Sequence, residues 1–312
     1  MNKEKRIGIP RALLYYKYNV LWHTFFKELG FKIVTSPATN KKILQQGASL
    51  AVDESCLPVK IFLGHVDYLK NKADYIFIPR IASFKKNEEL CCKFQGLYDI
   101  TVNTFPDLNI LHYNVDVNEF RRESLEFLRM GLTVCKNPIK IFRAYRKGKF
   151  KQKHLQKKKI RRQARLLKNK KLKKILIVAH PYILFDGFTG KTILDYLKSQ
   201  NIAIIDADIA QKKLVKKLSQ KISQDLYWTY NKELVGAIDL YKNKVDGIIY
   251  VSAFPCGPDS LVVEICQKKI KNIPSINIII DELQGEAGLI TRLESFIDIL
   301  EYQQKSAKNY KS

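Results

Sequence analysis

The sequence predicts an α/β protein of two parallel-sheet halves joined by a basic helical segment, with a site in the cleft between the halves. Three observations predict it. The chain is 312 residues long, room for about two domains of ordinary size, each with a core of its own. It opens strand, helix, strand, and the same order returns from Lys173, in KKILIVAHPYILFDGFTGKTILDYLKSQNIAIIDA; such β-α-β units signal a parallel sheet covered by helices. Between them lies RAYRKGKFKQKHLQKKKIRRQARLLKNKKLKK, Arg143 to Lys174, helical in pattern and strongly basic. The expected division is 1–120, a linker 121–172, a second half 173–303, and a frayed polar tail 304–312.

In order, RIGIP (Arg6–Pro10) reads as a strand. A helix from Ala12 to about Leu29 follows, with Leu14, Tyr18, Trp22, Phe25 and Phe26 on one face. Gly30 ends it, and KIVTSP is the next strand. The first turn lacks the G-x-G-x-x-G fingerprint, which argues against dinucleotide binding there. In DESCLPVKIFLGHVDYLK, Pro58 suits the first turn of a helix and Val59, Phe62, Leu63, Val66 and Leu69 share a stripe. DYIFIPRI (Asp74–Ile81) is a third strand, ASFKKNEELCCKFQGLYD a loop, NILHYNVD a fourth strand, and helices run from about Val117 through the basic segment. The second half adds a helix at TYNKELVGAIDLYKN, a strand from Gly247 to Val251, a helix opened by Pro258 and Asp259, a strand at SINIIID, and a helix from about Ala287 to Tyr302.

The net charge of +25 raises the question of a polyanionic partner. No acidic residue occurs from Phe127 to Phe185, yet the run lacks the interleaved aromatics of a stacking platform, so it reads as a solvated face and nucleic acid is not the favoured partner. Pro10, Arg11 and Lys17 interrupt the apolar residues near Met1, which is unlike a signal peptide, and no later apolar run reaches roughly 18 residues. A cytoplasmic protein without a membrane span is expected. In that compartment six cysteines are a poor disulfide framework, leaving metal binding, redox chemistry or burial.

Cys256 ends a strand and precedes a helix, where free N–H groups and the helix dipole favour a thiolate. Cys56 likewise sits just ahead of a helix, and Cys91, with Cys92, lies in the loop after the third strand. Sites in open α/β sheets gather at the carboxyl ends of strands, so the three thiols can converge; on their long spacings alone, burial is the favoured reading. Cys266, beside Val263 and Ile265, and Cys135, at a helix break, read as packing residues. GFTGKT (Gly187–Thr192) has the end of a phosphate loop but Phe185 where its first glycine belongs, so capping by Thr189 is the expected role. His180 ends a strand as a possible ligand, acid or base, and His65 reads as structural. Asp281 and Glu282 end the last strand, while Arg292 and Glu294 are expected to form interhelical ion pairs.

Taken together, IGIPRALLYYKYNVLWHTFFKELGF, DESCLPVKIFLGHVDYL, DYIFIPRI, CCKFQGLYD, AHPYILFD, SAFPCGPDSL and DELQGEAGLITRLESF resemble the acyl-CoA dehydratase activase-related proteins, over nearly the whole chain. That family is similar to 2-hydroxyacyl-CoA dehydratase subunits and to double-cubane cluster proteins of anaerobic bacteria. The resemblance implies two Rossmann-like halves around an iron–sulfur cluster of the [4Fe–4S] type, with Cys56, Cys91 and Cys256 as ligands and one iron open to a substrate oxygen or to electron transfer. Cys92 stands where the family usually has proline, so it is the substitute for Cys91, and Leu283 replaces a histidine of the family's DEHTGEAG run. Lys60 and Lys93 are candidates to stabilise the cluster's charge, and His180 and Ser260 weaker ones to support the reaction. The implied activity is that of a dehydratase or low-potential reductase component on a small or CoA-linked substrate, fed by a separate ATP-dependent activator and working as a homo- or heterodimer. The alternatives are a cluster-carrying electron-transfer or maturation partner without turnover, and a basic nucleic-acid-binding protein.

Overall fold

The computed structural model describes residues 4–309. The strands are β1 (Arg6–Ile9), β2 (Lys32–Thr35), β3 (Tyr75–Ser83), β4 (Ile110–Asp116), β5 (Lys174–Val178), β6 (Ala203–Asp206), β7 (Gly247–Ala253) and β8 (Ser275–Ile280). Among the described residues they form two four-stranded sheets, ordered β2-β1-β3-β4 and β6-β5-β7-β8, with every pairing parallel. The α/β class with two halves therefore holds. The chain divides into two compact units, Met1–Lys158 with Tyr227–Tyr230, and Lys159–Leu226 with Asn231–Ser312. Both sheets share one order, in which the connections leave two inner neighbours, β1 and β3 or β5 and β7, toward opposite edges. Open parallel sheets place ligand sites beyond the carboxyl ends of such a pair.

The first unit is built on aromatic packing. The helix Tyr15–Leu29 turns Trp22, Phe25 and Phe26 inward. Trp22 and Phe26 each meet the Phe77 ring of β3 edge-on at a centroid distance of 5.0 Å, and Phe25 meets Phe127 at 4.9 Å. Gly30 closes the helix in the left-handed region, φ 96°, where a residue without Cβ costs least. The helix starts at Tyr15, later than Ala12, because Leu13 holds a φ of 49° and breaks the helical path.

The helices Lys41–Leu50 and Lys212–Ser219 lie where no helix is read from the sequence. The first is capped by Asn40, whose side chain accepts from the Ile43 N–H at 3.0 Å. It crosses the helix Leu57–Leu69 at backbone contact. A Cβ on Gly47 would lie 1.8 Å from the Lys60 carbonyl oxygen, and one on Gly64 would lie 2.0 Å from that of Ile43. This crossing fixes the helix that begins just after Cys56. The loop expected around Cys91 also contains short helices, Cys92–Gln95 and Leu97–Thr104.

His65, on the same helix, is fully buried, and its Nε2 lies 2.9 Å from the Thr39 hydroxyl, which agrees with a structural role. Burial, helped by the Arg11 charge, pushes its pKa down to about 3 from the ordinary 6.5. The folded state thus holds the imidazole neutral while the unfolded chain takes up a proton below pH 6.5. Between those values the unfolded state binds more protons, so stability falls as pH falls, by up to about 1.4 kcal/mol per pH unit. Urea unfolding of the wild type and His65→Gln between pH 7 and 4.5 should give a steeper loss in the wild type; parallel curves would refute the assignment.

The second unit carries β7, in which every residue is buried, as expected for a central parallel strand covered on both faces. Its last helix runs Glu286–Asn309. The frayed tail expected from 304 is helical backbone as far as Asn309, and 310–312 lie outside the described residues. The basic segment is one helix, Pro138–Lys168, of 31 residues. No helix among the described residues is long and apolar enough to cross a membrane.

Candidate metal centre

In the first unit, Cys56 is the residue just before the helix Leu57–Leu69, and Cys91 occupies the same place before Cys92–Gln95. The fold brings these two thiols, 35 residues apart in the chain, within electrostatic reach of each other. Burial pushes the Cys91 thiol up to about 12; the Lys93 backbone N–H, bonded to its sulfur, pulls the other way, and neighbouring Cys92 and Cys56 add to the rise. At this helix start desolvation outweighs the donated hydrogen bond, so Cys91 keeps its proton unless a cation takes the proton's place. Cys92 is exposed, and Cys56, Cys91 and Cys256 are each partly buried, with no disulfide.

The Cys91 loop is braced by a segment far along the sequence. The Glu89 N–H donates to the Tyr227 carbonyl at 3.1 Å, the Thr229 N–H donates to the Glu89 carbonyl at 2.9 Å, and the Thr229 hydroxyl donates to the buried Glu88 carboxylate at 3.1 Å. Phe94 meets the Tyr230 ring edge-on. These bonds explain why Tyr227–Tyr230 belongs to the first unit.

In the second unit, Cys256 precedes the helix Gly257–Lys269. Asp259, on the first turn, is 7% exposed and collects three donors. His180 Nε2 lies 3.0 Å from its Oδ1, Asn231 Nδ2 donates to the same oxygen at 2.8 Å, and the Cys256 side chain also bonds to the carboxyl group. Burial alone would raise the Asp259 pKa, but the His180 charge and the three hydrogen bonds hold it below the ordinary carboxylate value. Thus the turn after β5 supplies His180 and the turn after β7 supplies Cys256, these strands being the two inner neighbours of this sheet. Asp259 was legible only as a helix opener and Asn231 not at all, because their partner is 79 and 28 residues away respectively.

Other expected residues are placed less centrally. The Ser260 hydroxyl donates to the Cys256 carbonyl at 2.8 Å and is spent inside its own helix turn. Lys60 is buried on the first turn after Cys56, and Lys93 reaches Cys91 through its backbone amide. Cys266 is fully buried and its thiol is pushed up to about 12 by burial, as suits a packing residue. Two expectations are corrected. Thr189 caps no helix; its hydroxyl donates to the Ile183 carbonyl, while Asp186 Oδ1 takes the Phe188 and Thr189 amides that a phosphate would need. Among the described residues Arg292 makes no interhelical ion pair; it donates to the Asn277 carbonyl on β8.

Among the described residues no three His, Cys, Asp or Glu side chains stand grouped to hold a metal ion. In the first unit the Cys92 and Cys56 thiols both act on Cys91, and in the second the Cys256 thiol is tied to a carboxylate.

A family described as "CoA enzyme activase uncharacterised domain" matches residues 6–209, well over half of the chain. The chain belongs to this family. The matched CoA enzyme activase domain contains Cys56, Cys91, Cys92 and His180, whereas Asn231, Cys256 and Asp259 lie after it. No curated protein matches the chain. Two solved structures are similar in outline. One is the substrate-binding protein FpvC of P. aeruginosa in complex with Ni2+, at 12% identity and a TM-score of 0.30, covering 89% of this chain and 87% of that one. The other is ZnuA, at 9% identity and a TM-score of 0.28, covering 96% and 99%. Overlaps this loose carry no weight for the site of the activase-domain chain.

Proposed function

We propose that this member of the CoA enzyme activase domain family is a cytoplasmic iron–sulfur protein of the 2-hydroxyacyl-CoA dehydratase or ATP-dependent reductase type, with Cys56, Cys91 and Cys256 as the cluster ligands. The observation that carries the reading is the Cys56–Cys91 pair. Two unlinked thiols on separate loops come within electrostatic reach of each other at helix starts, and partial burial pushes the Cys91 thiol up to about 12, so that it ionises near neutral pH only with a cation. Soft thiolates are the ligands that iron–sulfur clusters use. A [4Fe–4S] cluster with three protein thiolates would supply one-electron chemistry and an iron open to a substrate oxygen.

The remaining work belongs to the chain's own residues. The Lys93 amide supports negative charge on the Cys91 sulfur, and the Asp259 carboxylate holds the Cys256 side chain through a hydrogen bond. His180, held by Asp259, is fixed in orientation beside that loop. The family description points to an activase partnership, and a separate ATP-dependent activator delivering electrons fits it.

Anaerobic purification followed by iron and acid-labile sulfide analysis tests the proposal. The expected result is a brown protein with about four irons per chain, colourless in Cys91→Ala and Cys256→Ala and still brown in Cys92→Ala. Negligible iron after cluster loading of the wild type would sink it. Iron with no turnover of hydroxyacyl-CoA in the presence of reduced activator would leave an electron-transfer or maturation role instead.

A further inference from the structure

The helix Pro138–Lys168 carries a face that the packing of the first unit leaves uncovered. Its part up to Lys158 belongs to that unit. Inward, Ile141 and Ala144 are buried, a Cβ on Gly148 would lie 2.8 Å from a Leu21 methyl carbon, and Gln152 Nε2 donates to the Lys17 carbonyl at 2.7 Å. With about 3.6 residues per turn these positions share one side of the helix, and Ile139, Phe142, Arg146, Phe150, Lys153 and Lys157 share the other. On that outward side Ile139, Phe142 and Phe150 are 63%, 49% and 73% exposed. Arg143, Arg146, Lys153 and Lys157 are exposed beside them.

The charge on this side is not neutralised by the protein. Two lysines nearer the packed side are paired, Lys147 with Glu28 at 2.7 Å and Lys149 with Glu123 at 2.6 Å. Among the described residues Arg143, Arg146, Lys153 and Lys157 make no ion pair, and the helix itself contains no Asp or Glu. A face that merely meets water explains the cations and leaves the apolar side chains unexplained. Single exposed apolar residues are ordinary; here three recur along one stripe about 16 Å long among unpaired cations. Their geometry suits insertion better than base stacking. One face of the Phe142 ring is covered by the Arg146 guanidinium, 5.8 Å from its centroid, and one face of Phe150 by the His154 ring, stacked at 6.5 Å. Ile139 has no ring to offer a base.

We propose that the outward face of this helix, from Ile139 to Lys157, docks on a membrane surface rich in anionic phospholipid. Ile139, Phe142 and Phe150 enter the boundary between headgroups and acyl chains, while Arg143, Arg146, Lys153 and Lys157 meet the lipid phosphates. The protein lies on the bilayer and does not span it. Nothing in the proposal depends on a cluster being bound.

Co-sedimentation of the whole chain with vesicles tests it, using phosphatidylcholine alone and equal parts of phosphatidylcholine and phosphatidylglycerol. With a net charge of +25, diffuse adsorption must be told from docking, so three double variants are compared. Phe142→Ser with Phe150→Ser keeps every charge, Lys153→Gln with Lys157→Gln removes two from the face, and Lys41→Gln with Lys42→Gln removes two exposed charges from another helix. The expected result is binding to the mixed vesicles alone, weakened by about tenfold or more in each of the first two variants and unchanged in the third. All six side chains are exposed, so the melting temperatures should match the wild type. Equal weakening in both lysine variants, or full binding by the phenylalanine variant, would reduce the effect to diffuse charge and overturn the proposal. Absence of vesicle binding together with retention of polyuridylate RNA on a filter would overturn it in favour of a nucleic-acid partner.

Discussion

Asp259→Ala should destabilise the protein by about 3–5 kcal/mol, more than substitution of any exposed ion pair. The carboxylate lies inside the second unit and accepts from His180, Asn231 and Cys256. Its removal leaves those donors buried without an acceptor, at about 1–3 kcal/mol each, which is the usual cost of breaking a buried ionic network from one side. By comparison Lys191–Asp195, on the surface at 3.2 Å, should matter little, because water and salt screen it. Asp259→Asn keeps one acceptor oxygen and should lose roughly half as much. Urea unfolding at pH 7 decides the matter: a loss below about 1 kcal/mol for Asp259→Ala would mean that the three donors find other partners. The substitution should also raise the reactivity of Cys256 toward iodoacetamide, because its side chain loses the anchoring bond.

The same chemical change at two glycines should have opposite signs. In a helix interior, glycine to alanine gains up to about 1 kcal/mol from propensity alone. At Gly288, where an added methyl group meets nothing within 4 Å, that gain should stand as a few tenths of a kcal/mol or more. At Gly64 the added carbon would lie 2.0 Å from the Ile43 carbonyl oxygen, and backbone cannot swing aside as a side chain can. The two helices must separate, so overpacking should win by a net loss of about 2–3 kcal/mol. Because the helix Leu57–Leu69 begins one residue after Cys56, Gly64→Ala should also disturb the Cys56–Cys91 pair, seen as a faster reaction of Cys91 with thiol reagents. Equal melting temperatures for wild type and Gly64→Ala would show that the crossing is looser than described.

The local grammar of the chain was open to reading wherever the signal was periodic or terminal. RIGIP, KIVTSP and SINIIID read as strands because β-branched apolar residues run between turn residues. Gly30 and Pro58 marked a helix end and a helix start through their backbone chemistry. The helix Lys41–Leu50 escaped notice because only Ile43, Leu44 and Gly47 are buried on it, too few apolar positions to show a period. Leu13 escaped because nothing in a leucine announces a left-handed φ. Thr189 misled because a threonine before Gly190 looks like a cap, while Asp186, three residues earlier, holds the amides.

By itself the sequence determined the class of fold, the parallel order implied by repeated β-α-β units, and the helix starts that carry Cys56 and Cys256. These follow from interactions within a few residues or from burial of one face, which the order of residue types encodes. Only the tertiary structure decided that Cys56 comes within electrostatic reach of Cys91, that Asp259 gathers Cys256, His180 and Asn231, that Tyr227–Tyr230 braces the first unit, and that His65 is buried against Thr39. Each is a contact between distant parts of the chain. No residue type names its partner across such a separation, and the strand order alone brings the two together.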